Sequence, residues 1–113
     1  MSVINASSTL VATGRRKTAT ARVRLIPGTG KIQINGRDGE EYFPEERMFN
    51  AALQPLVTAN VRDQFDVWAR TNGGGSHGQA IAISLGIARA LLGYNAELRQ
   101  PLKVAGHLKR DPR

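Results

Sequence analysis

The chain has 113 residues, no cysteine and a formal charge of +7 from 16 basic and 9 acidic side chains. That length fits a single domain, residues 1–113, with one modest core, and the lack of thiols excludes disulfides and thiolate metal sites. The longest apolar run is well short of the about 20 residues of a membrane span, and Met1 to Leu10 lacks the basic start and apolar stretch of a signal peptide, so a soluble intracellular protein without a membrane partner is expected.

Taken in order, residues 1–11 read as a loose lead into a first strand, which Gly14-Arg-Arg-Lys-Thr18 interrupts with three adjacent positive charges. From Thr18 the pattern alternates. Ala19, Ala21, Val23 and Leu25 fall on one face and Thr18, Thr20, Arg22 and Arg24 on the other, as in a strand with one buried side. The second face carries the donors that read phosphate, planar guanidinium groups and short hydroxyls. Pro27-Gly-Thr-Gly30 turns the chain into Lys31–Asn35, a strand that buries Ile32 and Ile34 and is expected to form an antiparallel hairpin with its predecessor.

Residues 36–41 read as a polar loop, and Tyr42-Phe43-Pro44-Glu45-Glu46 as a helix start with proline in the first helical position. Ala52, Phe49, Leu53 and Leu56 line the inner face of that helix, Pro55 is expected to limit it, and residues 57–64 form a connector. Phe65, Val67 and Ala69 then alternate with Asp66, Trp68 and Arg70 as a further strand.

After the glycine run 73–78 the period changes to that of a helix. Ile81, Leu85, Ala88 and Leu92 form one stripe, Ile83, Ile87 and Leu91 a second, and Ala82, Gly86, Ala90 and Gly93 a small-residue side that lets another backbone or a sugar-phosphate chain approach. This is the central core helix, stopping near Gly93. Asn95 is expected to cap a short turn, Pro101 to open a last helix at its first position, and Gly106 to end it before a basic irregular exit over residues 107–113.

The charge is segregated. Residues 1–37 hold seven bases and no acid, residues 38–66 seven acids and two bases, and residues 67–113 seven bases and two acids. Two basic surfaces separated by an acidic one fit a polyanionic partner, against the plainer alternative of a solvated basic face. The glycine run opens a helix, whose first N–H groups lack internal partners and favour an anion, so Gly73, Gly74, Gly75, Ser76, His77 and Gly78 are candidate phosphate contacts. Gly73-x-Gly75-x-x-Gly78 matches the dinucleotide fingerprint formally, but no β-run follows to complete a βαβ unit. A small nucleotide-binding domain is therefore the alternative reading, and a free-standing RNA chaperone a third. Glu40/Glu41 and Glu45/Glu46 fit a loop and a helix start better than an acid/base pair, His77 and His107 lack metal-ligand spacing, and no nucleophile motif is present, so an enzyme is not expected and no metal or cofactor is called. Arg89, the one charged residue of the core helix, is expected either to face RNA or to pair with Glu97.

These residues also carry a resemblance. Gly14-Arg-Arg-Lys-Thr18, Ala21-Arg-Val-Arg24, Pro27-Gly-x-Gly-Lys31, Asn35-Gly36, Tyr42-Phe43, Gly73-Gly-Gly-x-x-Gly-Gln79, Gly86-Ile-Ala-Arg-Ala-Leu91 and Leu108-Lys-Arg-Asp-Pro-Arg113 resemble, in family order, ribosomal protein nine of the small subunit, bacterial type. The resemblance implies a two-layer α+β (α/β) fold in which a small mixed four-stranded sheet carries helices on one face, similar to the second domain of ribosomal protein five and with a left-handed βαβ crossover. It also implies a structural, non-catalytic protein of the small-subunit head, bound to rRNA and neighbouring head proteins, in the bacterial cytoplasm or in an organelle, the plastid in that case. Carried over onto this chain, the rRNA-facing positions are Arg15, Arg16 and Lys17, Gly73 to Gly75 with Gly78 and Gln79, and Lys109, Arg110 and Arg113. Read from the residues themselves, Thr18, Arg22, Arg24, Arg70, Ser76, His77 and Arg89 join the candidate RNA-binding set. His107 and Lys109 depart from the family's usual residues. Contact with peptidyl-site tRNA is expected only through the long basic tail that family members carry beyond the position of Arg113.

Overall fold

The alternation over residues 19–25 and 65–71 does make two strands, and it pairs them with each other. The computed structural model, which describes residues 9–107, has five strands: β1 Leu10–Arg16, β2 Ala19–Pro27, β3 Ile32–Ile34, β4 Arg37–Asp38 and β5 Phe65–Asn72. They lie in the order β1-β2-β5-β3-β4, with β3 and β5 parallel and the other neighbours antiparallel. The helices are α1 Gly39–Tyr42, α2 Glu46–Thr58, α3 Ser76–Tyr94 and α4 Arg99–Val104, with a 3₁₀ turn at Ala96–Leu98. This is a mixed sheet with helices on one face, the two-layer α+β arrangement expected, with two-residue β4 added at one edge. No helix among the described residues is long and apolar enough to cross a membrane.

The core lies between the layers. Ala19, Ala21, Val23 and Leu25 of β2, Ile32 and Ile34 of β3, and Phe65, Val67 and Ala69 of β5 turn inward, where they meet Ala80, Ile83, Ile87 and Leu91 of α3 and Leu53 and Leu56 of α2, all buried. The Ile83, Ile87 and Leu91 stripe of α3 is fully buried, while the other is buried at Leu85 and Ala88 and half-buried at its ends, Ile81 and Leu92. Its small-residue side receives β1: a Cβ on Gly14 would collide with the Ala82 carbonyl oxygen and stand 2.5 Å from the Gly86 amide nitrogen. The approaching backbone is a strand of the same chain, not a sugar-phosphate.

Several expectations need correcting. The Gly14–Thr18 segment does not interrupt β1, which runs through Arg16; Lys17-Thr18 is the two-residue turn between Arg16 and its partner Ala19. The expected β2–β3 hairpin does not form. β5 takes the place beside β2 over eight residue pairs, from Thr20–Asn72 to Pro27–Phe65, a far longer ladder than three-residue β3 can offer. Strand β3 instead pairs parallel with the other edge of β5, and residues 35–64 form the crossover between them. The polar loop at 36–41 is in fact a tight turn, β4 and α1. Asn35 and Gly36, both with positive φ (53° and 79°), make the two-residue turn between Ile34 and Arg37, the backbone that Asn-Gly favours.

Pro44 lies between α1 and α2 rather than at a first helical position, and Glu45 is the N-cap of α2. Pro55 sits inside α2, which continues to Thr58. A proline there removes the hydrogen bond to the Ala51 carbonyl, and Ala51 is exposed, so water can satisfy it. Just past the C-cap Ala59 the helix is closed instead by Asn60, whose φ of 61° lets the Asn60 and Val61 amides bond back to Val57 and Leu56. Pro101 is the third residue of α4, still within the first turn where no N–H partner is lost. As expected, the Asn95 side chain accepts from the Glu97 amide at 3.0 Å, and Gly106 (φ 86°) closes α4. His107 Nε2 lies 2.8 Å from Thr58 Oγ1 and ties that end to α2.

Candidate nucleic-acid interface

The helices leave the other face of the sheet open. Pleating puts alternate side chains of β1, β2 and β5 there, and the register sets them in rows across the strands. Arg15, Thr20 and Asn72 form one row, Thr13, Arg22 and Arg70 the next, and Val11, Arg24, Trp68 and Gln33 a third. Between these rows runs a shallow trough of about 360 Å³, lined by Arg22, Arg24, Arg70, Trp68, Gln33 and Asn35 among others, and none of the described residues lining it is acidic. Arg22 and Arg70 are direct cross-strand partners. Like charges so placed destabilise a sheet, and among the described residues neither they nor Arg24 has a carboxylate partner.

At one end of the sheet the β1–β2 turn abuts the glycine loop. Gly73 and Gly74 take positive φ (78° and 61°), and a Cβ on Gly73 would collide with the Thr18 carbonyl oxygen. That approach brings Arg15, Arg16, Lys17 and Thr18 beside residues 73–79. Gly75, by contrast, is the N-cap of α3 with φ −102° and open space around it, and Ser76 and His77 are exposed in the first helical turn. The amide ends of a 19-residue helix, three glycines and the Arg-Arg-Lys run thus share one corner, a setting with the N–H groups, dipole and charge that hold phosphate.

Gln79 holds the loop from within. Its Nε2 donates to the Gly73 carbonyl (3.1 Å) while its Oε1 accepts from the Tyr42 hydroxyl (2.5 Å). Tyr42 accepts in turn from Asn35 Nδ2 (3.3 Å), and Asn35 bridges the peptide of Thr71, receiving its N–H at 2.8 Å and donating to its C=O at 3.0 Å. This relay holds the glycine loop against the ends of β3 and β5. Asn35, Tyr42 and Thr71 are supporting positions that sequence reasoning missed, although Asn35-Gly and Tyr42-Phe stood among the motifs. Trp68 was also missed, although alternation alone places it outside.

Arg89 neither joins the corner nor pairs with Glu97. Its guanidinium donates to the Thr13 carbonyl at 2.7 Å and clamps α3 to the edge strand β1. Arg37 and Glu41 form a solvent-exposed ion pair at 3.5 Å. Lys109, Arg110 and Arg113 lie outside the described residues, as does all of the basic exit beyond His107.

The acidic part of the chain has a structural use too. Asp66 accepts the N–H groups of Thr29, Gly30 and Lys31 at 2.9–3.0 Å, which folds the β2–β3 loop over the end of β5. Burial works against its charge, but those three amides and the Lys31 ammonium prevail, so its carboxyl lies below the ordinary aspartate range.

Fold and site together define a small two-layer α+β protein with one basic face left open. The family model described as ribosomal protein S9/S16 matches residues 14–113. Similar curated proteins are the small ribosomal subunit proteins uS9 of Synechococcus sp. (strain JA-2-3B'a(2-13)), 54% identical over 102 residues that cover 89% of this chain and 75% of the relative, and of Prochlorococcus marinus (strain MIT 9211), 56% identical with 89% and 74% covered. The protein of that name from Prochlorococcus marinus (strain MIT 9313) is 51% identical and spans all of this chain and 84% of its own length. The chain belongs to the ribosomal protein S9/S16 family; it is a ribosomal structural protein and not an enzyme.

Proposed function

We propose that this protein is a constituent of the small ribosomal subunit that binds small-subunit rRNA in the subunit head through two joined surfaces, the open sheet face and the corner formed by the β1–β2 turn and the glycine loop. The observation that carries this reading is the Arg22–Arg70 pair, two arginines at directly opposed positions of the β2–β5 ladder and served by no acid of the described chain. Such a pair costs stability in the free protein and is relieved by a phosphate between or beside the two charges. Arg15, Arg16, Lys17 and Thr18 with Gly73 to Gly78 supply the second set of phosphate contacts, and Gln79 positions the loop. Lys109, Arg110 and Arg113 remain candidate rRNA contacts on the resemblance alone, and Arg89 serves chiefly to hold β1 in place. Neighbouring head proteins are the other partners, and peptidyl-site tRNA is reached only by a longer basic tail. The cyanobacterial relatives support a bacterial cytoplasmic ribosome, or a plastid one by descent.

The mononucleotide alternative is weaker. After α3 the described chain continues into a 3₁₀ turn and α4 rather than a parallel strand. Co-sedimentation of the intact protein with small subunits at high salt tests the proposal directly. In filter-binding titrations, Arg15, Arg16 and Lys17→Ala should reduce the salt slope by about 0.7 to 0.9 for each phosphate that the variant no longer neutralises. Equal slopes for wild type and variant would remove this turn from the interface.

A further inference from the structure

The rRNA-binding reading leaves the kind of RNA open, and one residue narrows it. Trp68, the chain's one tryptophan, sits centrally on the open face at 49% exposure, directly opposite Arg24 on one side and Gln33 on the other. No helix of the described residues covers it, and Val11 in the same row is 54% exposed. The charge around it is lopsided. Toward β1 and β2 lies the acid-free trough with Arg22, Arg24 and Arg70. Toward β3 and β4 lies a wider recess of about 670 Å³ whose lining mixes three acids, Asp38, Glu40 and Asp66, with two bases, Lys31 and Arg62.

Resting on the proposed rRNA binding, we infer that this face holds an unpaired nucleotide, its base stacked on the Trp68 indole and its phosphates directed to the Arg22/Arg70 side. A duplex offers no free base face to an aromatic ring, whereas a base splayed from a loop or bulge does. Exposed aromatic platforms flanked by arginines are the elements that bind single strands. In the second recess three acids offset two bases, whereas the charged residues of the trough are all arginines, so the strand leaves Trp68 over Arg70 and Arg22 and runs through the Thr20–Asn72 row toward the glycine corner.

Because Trp68 is the sole tryptophan, its emission reports on this site directly. The full chain is titrated with a single-stranded oligoadenylate of eight nucleotides and with a blunt RNA duplex of the same length, at two salt concentrations. The single strand is expected to quench Trp68 saturably and the duplex to bind without quenching. In filter binding, Trp68→Leu should weaken the single strand by about 5- to 150-fold at an unchanged melting temperature, while Trp68→Phe, which keeps a ring, should stay within a few-fold of wild type. Single-strand binding without quenching, an equal response to duplex, or a Trp68→Leu protein of full affinity would overturn the stacking site while leaving the rRNA reading intact. Failure to co-sediment with small subunits would overturn that broader reading instead.

Discussion

Gly14 of β1 and Gly86 of α3 meet backbone to backbone, with the ideal Cβ position of Gly86 3.3 Å from the Gly14 amide nitrogen and 2.6 Å from Val23 Cγ2. The edge strand therefore lies closer to the core helix than any side chain at either position would permit. Arg89 fixes the same pair of elements from outside by bonding the Thr13 carbonyl. An edge strand so held has one carbonyl covered and is less open to pairing with another chain.

Gly14→Ala must consequently move β1, since the atoms it meets are main chain and cannot rotate away. A loss at or above the upper end of the about 1–3 kcal/mol typical of overpacking is expected in urea unfolding. A variant as stable as wild type would mean that β1 has freedom to shift.

The Arg22–Arg70 pair predicts opposite effects on folding and binding. Arg70→Gln should stabilise the free protein by about 0.2 to 1 kcal/mol, by removing a like charge directly across the ladder, and should weaken binding to small-subunit rRNA with a shallower salt slope. Thermal unfolding and filter binding on one preparation measure both. A variant that loses stability and keeps affinity would show that the two charges are already neutralised in the free protein.

The glycine loop separates strain from ligand approach. Gly73→Val should be strongly destabilising, because its φ of 78° disfavours a β-branched residue and its Cβ would strike the Thr18 carbonyl. Gly75→Val meets nothing and has an ordinary backbone, so it should cost no more than about 1 kcal/mol through the poorer N-cap and still reduce rRNA affinity by blocking approach to the first amides of α3. Unchanged affinity for Gly75→Val would show that the loop shapes the fold without touching RNA.

How far these features could be read from the sequence depended on length and on locality. Strands β2 and β5 and helix α3 were legible because eight to nineteen residues repeat one period, and the alternation of the strands already placed Arg22, Arg24, Trp68 and Arg70 outside. Their register was not legible. Three residues of β3 carry the same Ile-x-Ile pattern whether they pair antiparallel with β2 or parallel with β5, and the longer ladder elsewhere decides it. The Arg22–Arg70 opposition follows only from that decision. The Asn35-Gly36 turn was legible in principle and was passed over because β4 has two residues. The relay through Tyr42 was not legible, since it joins residues 7 and 37 positions apart.

That relay yields the fourth prediction. Tyr42→Phe removes the hydroxyl that accepts from Asn35 and donates to Gln79, leaving both amides short of a partner, so about 0.5 to 1.5 kcal/mol of stability should be lost. If the relay positions the glycine loop, amide exchange at Gly73 to Gly75 should accelerate more than that global loss explains, and rRNA affinity should fall with it. Exchange that rises uniformly along the chain would reduce the relay to ordinary stabilisation.

His107 gives the chain a pH-dependent link between α4 and α2. Burial lowers its pKa from the ordinary histidine value, so the folded protein favours the neutral ring, whose Nε2 can accept from the Thr58 hydroxyl. The unfolded chain then binds the proton more readily than the folded one. By linkage, the contribution of this group is fully present above the unfolded pKa of about 6.5 and declines as pH falls through that value toward the lower folded one. Urea midpoints measured from pH 8 to pH 5 should therefore fall more steeply for wild type than for His107→Gln, which keeps a hydrogen-bonding amide without the titration. Carboxylates affect both proteins alike over this range, so the difference between the two curves isolates the imidazole. Parallel curves would mean that His107 titrates equally in the folded and unfolded states and that its bond to Thr58 does not depend on the neutral ring.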